Sequence, residues 1–259
     1  MNTAPTPLPR VDKQLIVFDF DWSLVDQDTD RYVHECLNPS LRAELQRRKT
    51  FEQFTDLCAD LLRKLHASGA TPSDITSALE TLPFHPGVKR GVSTLKSASS
   101  PHTTFFLLSN SNTVYISTIL KHHKLEKLFD EIITNPAEFT REGLLKLERR
   151  VLATAEKQHG CKVGCSANMC KGAELDAFLE RNGGREAFDR IIYVGDGSND
   201  YCPVLRLGER DLAFVRKFRG LQTRIAKEGG VRAGIKYWNG AWQLEGYLNE
   251  LRGEKALEY

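Results

Sequence analysis

The most constraining feature of this sequence is a short, unbroken apolar run, Leu15 to Phe18, followed directly by Asp19 and Asp21. Such a run, partly β-branched and without polar alternation, predicts a strand buried on both faces of a parallel sheet. In an extended chain the side chains of Asp19 and Asp21 would point to the same side. Two acids at the end of a buried strand predict a site for a hard cation such as Mg²⁺. The alternative is a surface turn with solvated acids, because Asp is common in turns.

Beyond residue 86 the hydrophobic pattern alternates between extended and helical segments. Four further apolar runs predict strands, at 104–108, 131–134, 190–194 and 211–215. Helices are predicted around and between them, at about 88–97, 114–123 and 171–181. Strands separated by helices imply a parallel sheet with right-handed crossovers. The sequence therefore predicts an α/β fold, built as a doubly wound parallel sheet.

Residues 26–85 differ from the rest of the chain, because their apolar residues recur at spacings of three and four. A break near Thr50 and a stop at Gly69 divide this segment into helical pieces. We therefore predict a small all-helical module inserted after the first strand. The core domain is then formed by the two flanking parts of the chain, residues 1–25 and 86–259.

Composition excludes several classes of protein. The chain is 41% hydrophobic and 27% charged, which is ordinary for a globular domain, and its net charge of +2 indicates no nucleic-acid footprint. No apolar run reaches the roughly 20 residues of a membrane-spanning helix. Residues 1–10 lack the apolar stretch of a secretory signal and are expected to be disordered. We expect a cytoplasmic protein without nucleic-acid or membrane partners; the sequence does not indicate its oligomeric state.

Three of the predicted strands end in a polar side chain, at Asp19, Ser109 and Asp196. Ligands of open α/β sheets bind outside the carboxyl ends of the strands, so these three residues are expected to share a site. Asp200 lies in the same glycine-containing turn as Asp196, and Lys171 offers a positive charge to a phosphate. Each residue also has a simpler explanation: a helix N-cap for Ser109, an exposed lysine for Lys171, and an Asp-Gly turn for the two acids.

Together and in this order, these residues resemble the four motifs of the haloacid-dehalogenase (HAD) superfamily of phosphatases. The motifs are D-x-D at Asp19 and Asp21, a hydroxyl residue at Ser109, a lysine at Lys171, and G-D-x-x-x-D at 195–200. The resemblance implies a HAD-like Rossmannoid core. It also implies that the helical insert is a cap, which closes over the site and excludes water.

Three further segments are similar to the branch that contains phosphoethanolamine/phosphocholine phosphatases and pyridoxal-phosphate phosphatases. They are residues 135–137, 161–172 and 193–203. The resemblance extends from about residue 15 to residue 238, and it is sparse in the helical insert.

The resemblance implies Mg²⁺-dependent hydrolysis of a phosphomonoester. Asp19 would attack phosphorus to form an aspartyl-phosphate, and Asp21 would protonate the leaving oxygen and later activate water. Mg²⁺ would be held by Asp19, Asp196 and the backbone carbonyl of Asp21, with Asp200 orienting the metal's ligands.

The resemblance also implies residues that contact the substrate. Ser109 and Lys171 would hold the non-bridging phosphate oxygens, and Asn199 would lie beside them. In amine-specific members of the branch, two acids meet the cationic head group. Asp30 matches one of these positions, with a helix N-cap as its alternative role, whereas Asn110 replaces the other acid. The loss of that charge weakens the case for an ammonium substrate.

The leading hypothesis is therefore a phosphatase of a small phosphorylated metabolite, such as pyridoxal phosphate or phosphoethanolamine/phosphocholine. A pyrophosphatase or another small-phosphate hydrolase on the same scaffold is the alternative. A catalytically silent phosphate-binding protein is less consistent with the sequence, because such a protein has no need to keep Asp19, Asp21, Lys171 and Asp196 together.

Six cysteines occur, at positions 36, 58, 161, 165, 170 and 202. In an intracellular chain of this size we expect reduced thiols rather than a disulfide framework. His159, Cys161, Cys165 and Cys170 are all suitable zinc ligands. Their spacing is not that of a common zinc motif, which favours reduced cysteines packed beside the site.

Overall fold

The structure is a computed structural model that describes residues 8–253. Its strands are β1 (Lys13–Phe18), β2 (His102–Asn112), β3 (Glu131–Asn135), β4 (Ala137–Phe139), β5 (Leu145–Leu147), β6 (Arg190–Gly195), β7 (Leu212–Arg216) and β8 (Gly234–Trp238). Its α-helices are α1 (Thr29–Leu37), α2 (Pro39–Arg48), α3 (Phe54–Ala67), α4 (Pro72–Glu80), α5 (Pro86–Ser97), α6 (Thr113–His122), α7 (Lys171–Arg181), α8 (Tyr201–Val204), α9 (Gly220–Glu228) and α10 (Ala241–Glu250).

Six strands form one parallel sheet in the order β3-β2-β1-β6-β7-β8, and β4 pairs with β5 as a separate antiparallel hairpin. The predicted α/β fold with a parallel sheet is confirmed. All five predicted strands are present, whereas β8 and the hairpin were not predicted. β8 lies at the sheet edge and is only partly buried, so it lacks the continuous apolar run that marks the central strands.

Strand β1 is buried on both faces, as its apolar run predicts. Leu15 and Val17 join the apolar cluster on one side of the sheet, and Ile16 and Phe18 join the cluster on the other side. All four side chains are inaccessible to solvent. Complete burial of an aliphatic or aromatic side chain contributes about 1.5–3 kcal/mol, so this strand anchors both layers of helices.

Four helices, α1 to α4, occupy the segment between β1 and α5. Asn38 both ends α1 and caps α2, because its side chain accepts a hydrogen bond from the backbone N–H of Leu41. Helix α4 starts at Pro72, where Thr71 and Asp74 form a reciprocal capping box. The helical content of the insert is as predicted, and its limits as a separate domain, residues 26–85, stay a prediction.

The apolar faces of these helices share the cluster on one side of the sheet with residues of β1 and β2. None of the helices within residues 8–253 is long and apolar enough to cross a membrane. Of the segment expected to be disordered, residues 1–7 lie outside the described residues. Residues 8–10 are irregular, and the carbonyl of Pro9 accepts a hydrogen bond from Arg190.

Because the sheet is parallel, the carboxyl ends of its strands meet at one edge. Asp19, the first residue after β1, is held there by a hydrogen bond of 2.9 Å from its backbone N–H to the carbonyl of Val194 on β6. The turn after β6 is tied in the same way, since the N–H of Leu221 on α9 donates to the carbonyl of Asp196.

Candidate active site

A cavity of 560 Å³ lies at this edge, between the carboxyl ends of the strands and the helical insert. Seven of the nine predicted site residues line it: Asp19, Asp21, Ser109, Asn110, Lys171, Asp196 and Asn199. The other two, Asp30 and Asp200, do not line it. The three strand ends predicted to share a site, at Asp19, Ser109 and Asp196, therefore do so.

Lys171 is the centre of a buried charge cluster. Its Nζ lies 2.8 Å from Oδ1 of Asp19 and 2.7 Å from Oδ1 of Asp200, and its side chain is 1% exposed. Burial alone would lower the pKa of Lys171, but the charges of Asp19 and Asp200 outweigh burial and raise it. The ammonium group stays charged, and the interpretation of Lys171 as an exposed surface lysine is wrong.

Each carboxylate oxygen of Asp200 accepts two hydrogen bonds. Its Oδ1 accepts from Lys171 and from the hydroxyl of Tyr193, at 2.7 Å each. Its Oδ2 accepts from the backbone N–H groups of Asp196 and Gly197, at 3.0 and 2.9 Å. Asp200 therefore fixes the turn that carries Asp196 and orients Lys171. The glycine at 195 is required here, because a Cβ at that position would meet the Asp200 carboxylate at 2.6 Å.

The carboxylates of Asp19, Asp196 and Asp200 converge, with one oxygen from each lying within 4.8 Å of the others. Burial, with mutual repulsion, raises the pKa of Asp19 to about 7 and that of Asp196 to about 8. When ionised, the three buried acids carry more negative charge than Lys171 and Arg219 together neutralise. Oxygen donors with this charge suit a hard divalent cation such as Mg²⁺, so the donor set fits the predicted metal. The Asp21 carboxylate is not part of this group.

Asp21 occupies a different environment, beneath the first turn of α1. Its Oδ1 accepts from the N–H of Thr29 at 3.0 Å, and its Oδ2 accepts from the Thr29 hydroxyl at 3.3 Å. That hydroxyl also lies 2.8 Å from the hydroxyl of Ser111. Burial, followed by the charges of Asp28, Asp30 and Asp19, raises the pKa of Asp21 well above its ordinary value. Asp21 is thus placed to hold a proton at a higher pH than an exposed aspartate does.

Asp30 does not line the cavity. Its side chain is 5% exposed and clusters with Asp21 and Asp28, and burial raises its pKa to about 7. The N-cap of α1 is Asp28, which accepts from the N–H of Arg31, so the N-cap alternative for Asp30 is wrong. Asp28 lines the cavity instead, and its carboxylate pairs with the Arg31 guanidinium at 3.0 Å.

Ser109 lies within β2 rather than at a helix start. Its hydroxyl accepts from the N–H of Ser111 at 3.2 Å, and the N-cap of α6 is Asn112. The N-cap explanation for Ser109 is therefore wrong. Asn110 and Asn199, which the sequence placed on different motifs, are joined by a hydrogen bond of 2.9 Å between their side chains.

Two residues that the sequence did not single out, Trp22 and Arg219, also line the cavity. Trp22 has a left-handed backbone conformation, with φ of 57°, and its carbonyl accepts a hydrogen bond of 2.7 Å from Arg216. The Arg219 guanidinium carbon lies 3.8 Å from the centre of the Trp22 ring, which is a cation–π contact. The positive charge of Arg219 also lowers the pKa of Asp196, against the larger effect of burial. Nothing local to either residue predicts this, because some 200 residues separate them along the chain.

Asn168 links the insert to the core. Its side-chain amide donates to the hydroxyl of Thr55 on α3 at 3.1 Å and to Oδ1 of Asn135 on β3 at 2.8 Å. Its Oδ1 accepts from the N–H of Val151. Asn168 is 2% exposed and has φ of 105°, a conformation that asparagine tolerates better than most residues. Asn135 in turn donates to the carbonyls of Asn110 and Ser111, so this network supports the end of β2.

The fold is similar to that of solved hydrolases. A HAD family hydrolase from Salmonella enterica serovar Typhi aligns with a TM-score of 0.64 and 14% identity, covering 95% of this chain and 73% of that one. A phosphoserine phosphatase in its apo form aligns with a TM-score of 0.56 and 20% identity, covering 83% of this chain and 98% of that one.

Sequence relatives are more similar. "Inorganic pyrophosphatase 1" of Arabidopsis thaliana is 31% identical, over 93% of this chain and 81% of that protein. "Probable phosphatase phospho1" of Danio rerio is 32% identical, over 94% and 86%. "Pyridoxal phosphate phosphatase PHOSPHO2" of Bos taurus is 27% identical, over 92% and 98%.

Fold and relatives together define the chain as a phosphatase of the HAD class. Residues 14–252 match the model of the family described as "Putative Phosphatase", which includes almost every described residue. The chain belongs to that family. The resemblance seen in its motifs is thereby confirmed, as are the HAD-like fold and the assignment to phosphatases.

Proposed function

We propose that this protein is a Mg²⁺-dependent phosphomonoesterase that acts on a small phosphorylated metabolite through an aspartyl-phosphate intermediate. The observation that carries the proposal is the environment of Asp19. One of its oxygens is bound by Lys171, its carboxylate lies within a buried acid cluster, and it lines a cavity that also exposes Ser109 and Asp21.

Asp19 is the proposed nucleophile. Its Oδ1 accepts from Lys171 and, at 2.7 Å, from the N–H of Phe20, and within residues 8–253 its Oδ2 accepts no hydrogen bond. Oδ2 is therefore free to attack phosphorus as the bond to the leaving oxygen breaks. Lys171 and Ser109 hold the non-bridging oxygens, where preorganised donors stabilise the transition state most effectively.

Asp21 is the proposed acid and base. Protonated in the resting enzyme, it gives its proton to the leaving oxygen as that oxygen departs. The resulting carboxylate then takes a proton from the water that hydrolyses the aspartyl-phosphate, which restores both acids and releases phosphate. Thr29 fixes the orientation of Asp21 through two hydrogen bonds and so keeps it out of the nucleophile's own cluster.

The metal site is proposed to consist of Asp19, Asp196 and the backbone carbonyl of Asp21, with Asp200 holding the turn. Mg²⁺ bound there would supply positive charge that offsets repulsion between the substrate phosphate and the Asp19 carboxylate. Lys171 is already committed to Asp19 and Asp200, so it cannot alone neutralise a phosphate dianion.

For the substrate, the two predicted head-group positions favour a phosphomonoester without a cationic head group, such as pyridoxal phosphate. The residue beside Ser109 is the neutral Asn110, and Asp30 does not line the cavity, so neither predicted head-group position presents a carboxylate to it. Phe54 and Trp22 add aromatic surface to the lining. Phosphoethanolamine and phosphocholine are accordingly the weaker candidates.

Pyrophosphate is the second candidate, favoured by basic residues on the insert. Arg31 and Lys49 line the cavity on the side opposite the strand ends. Arg31 is paired with Asp28, whereas Lys49 forms no ion pair with another described residue. When pyrophosphate is the substrate, the leaving group is a second phosphate, and its negative charge would develop on the side of the cavity where Lys49 lies. Lys49→Gln is therefore expected to raise KM for pyrophosphate more than for an aryl phosphate.

The proposal is tested by assaying the purified protein on an aryl phosphate with Mg²⁺, with EDTA, and after acid quenching in the presence of labelled substrate. We expect Mg²⁺-dependent turnover, loss of activity with EDTA, and label on Asp19. Asp19→Asn should abolish turnover, and the exposed Asp12→Asn should not. A folded protein that binds phosphate without turnover would instead identify a catalytically silent binding protein.

A substrate panel separates the candidates. Comparing kcat/KM for pyridoxal phosphate, phosphoethanolamine, phosphocholine and pyrophosphate assigns the class of leaving group. If none of the four exceeds the aryl phosphate, the selectivity argued from Asn110 and Lys49 is wrong, while the phosphatase chemistry stands.

A further inference from the structure

Four cysteines from two separate stretches of chain meet beside the start of α7. Cys161 and Cys165 lie on the irregular segment before α7, Cys170 immediately precedes that helix, and Cys202 lies on α8. Sγ of Cys161 is 3.5 Å from Sγ of Cys165 and of Cys202, and Sγ of Cys170 is 3.6 Å from the same two atoms. We propose that these four cysteines bind one structural Zn²⁺ ion.

The arrangement of the sulfur atoms fits a tetrahedral ion. Zinc–sulfur bonds of about 2.3 Å place the sulfurs of a tetrahedral site about 3.8 Å apart. If the four sulfurs lay in a planar square with the observed S–S distances as its edges, the diagonal S–S distances would be about 5 Å. In a tetrahedral site all six S–S distances are similar. All four sulfurs lie within 4.8 Å of one another, so the set is not a planar square. The separations are also far longer than a disulfide bond of about 2.05 Å.

Neighbouring groups suit a site that becomes negatively charged. Binding would release the thiol protons to solvent and leave four thiolates around one dication. The N–H of Val163 donates to Sγ of Cys161 at 3.3 Å, and the charges of Arg206 and Arg224 act on Cys202 and Cys165. These donors and cations stabilise thiolates in the way that the surroundings of metal ligands commonly do.

The segment that carries Cys161 and Cys165 has no regular secondary structure to hold it in place. Residues 148–170 contain no helix or strand, and most of residues 152–167 are exposed or half-buried. A long irregular segment inside a compact domain has little apolar burial to hold it. Gly172 lets the start of α7 approach α8 closely, because a Cβ there would meet Sγ of Cys202 at 2.5 Å. A zinc ion would join the segment, α7 and α8 at one point.

This site differs from the one considered from sequence. Cys202, on α8, takes the place of His159. Nε2 of His159 lies 2.9 Å from the carbonyl oxygen of Ser166 and is engaged there. Because Cys170 precedes Lys171 and Cys202 follows Asp200 by two residues, the zinc would also brace the segments that carry the buried Lys171–Asp200 pair.

The test is the zinc content of the purified protein, measured by inductively coupled plasma mass spectrometry after gel filtration with EDTA. We expect about one zinc per chain, held by four sulfurs at about 2.3 Å in X-ray absorption spectra. Cys161→Ser should lower the zinc content at least tenfold. Cys36→Ser, an exposed cysteine on α1, should keep it. Asp19→Asn should also keep it, which separates this site from the acid cluster.

Limited trypsin digestion of the wild-type protein gives a second measurement that needs no cysteine variant. With Mg²⁺ held constant, removal of zinc by a thiol-competent chelator should increase cleavage at the exposed Lys157 and Lys162. The proposal would be overturned if the reduced protein bound no zinc even after reconstitution, or if Cys161→Ser kept its zinc. Disulfides among these cysteines, or iron bound to them in the purified protein, would also overturn it.

Discussion

Lys171 and Asp200, 29 residues apart in the sequence, form an ion pair of 2.7 Å in which both side chains are almost completely buried. The same ammonium group reaches Asp19 at 2.8 Å. The pair therefore joins the ends of β1 and β6 and the start of α7 through one charge. Burying such a cluster costs desolvation free energy. The cluster is stable only because each charged group has several partners.

Removing Lys171 should destabilise the protein strongly. Lys171→Met leaves Asp19 and Asp200 buried without their cation, which typically costs about 3–5 kcal/mol. Lys146→Met, which removes an exposed partner of Glu148, should cost no more than about 1 kcal/mol. Urea unfolding with Mg²⁺ present measures both. Adding Asp200→Asn to Lys171→Met should recover part of the lost stability, because it removes one of the unpaired acids. If Lys171→Met cost no more stability than the exposed-lysine control, the charge cluster would not be important for folding.

Asp21→Asn should separate substrates by their leaving group. An alkyl phosphate needs the proton that Asp21 supplies, so its kcat should fall about 10²–10⁴-fold. An aryl phosphate, with a stable leaving anion, should lose much less. In the wild type, kcat for the alkyl ester should decline as pH rises through the raised pKa of Asp21, because the protonated form is required. Equal losses on both esters would argue against Asp21 as the proton donor.

Without Mg²⁺, the protein should become less stable as pH rises. The pKa values of Asp19 and Asp196 are raised from 3.8 to about 7 and about 8 on folding. The folded state therefore binds more protons than the unfolded state between about pH 4 and pH 8, and stability is lost across that interval. Each group contributes up to about 1.4 kcal/mol per pH unit.

Thermal unfolding in EDTA across this pH range measures the effect. Asp196→Asn removes one of the two groups and should reduce the slope. Mg²⁺ should restore stability increasingly toward high pH, since it binds the ionised acids of the folded state. If Asp196→Asn left the pH dependence of thermal stability unchanged, folding would not raise the pKa of Asp196, and the prediction would be wrong.

Asn110→Asp should shift selectivity toward cationic substrates. The hydrogen bond from Asn199 to Oδ1 can be kept, while a carboxylate is added to the cavity lining. We expect kcat/KM for phosphoethanolamine or phosphocholine, relative to pyridoxal phosphate, to rise about tenfold, which corresponds to about 1.4 kcal/mol. Asn239→Asp, an exposed position after β8, is the matched control. An unchanged ratio would place the head group elsewhere.

Local pattern was sufficient to predict five of the six strands of the sheet and several side chains that line the cavity. The run at 15–18 predicted a strand buried on both faces, and the acids after it, Asp19 and Asp21, line the cavity. Ser109 and Asp196 could be predicted because parallel strands present their carboxyl ends at one edge. This part of the structure follows from backbone geometry and hydrophobic burial, both of which leave a periodic signal in the sequence.

Tertiary structure decided which side chains meet across long separations. It placed Asp28 rather than Asp30 at the cavity, stacked Arg219 on Trp22, and brought Cys202 to the cysteines before α7. These contacts depend on the directions of side chains from distant elements, and such directions have no periodicity along the chain. The sequence alone thus determined five of the six strands and the acids at their carboxyl ends, whereas the packing of the helices upon the sheet determined how each acid is paired, protonated and exposed.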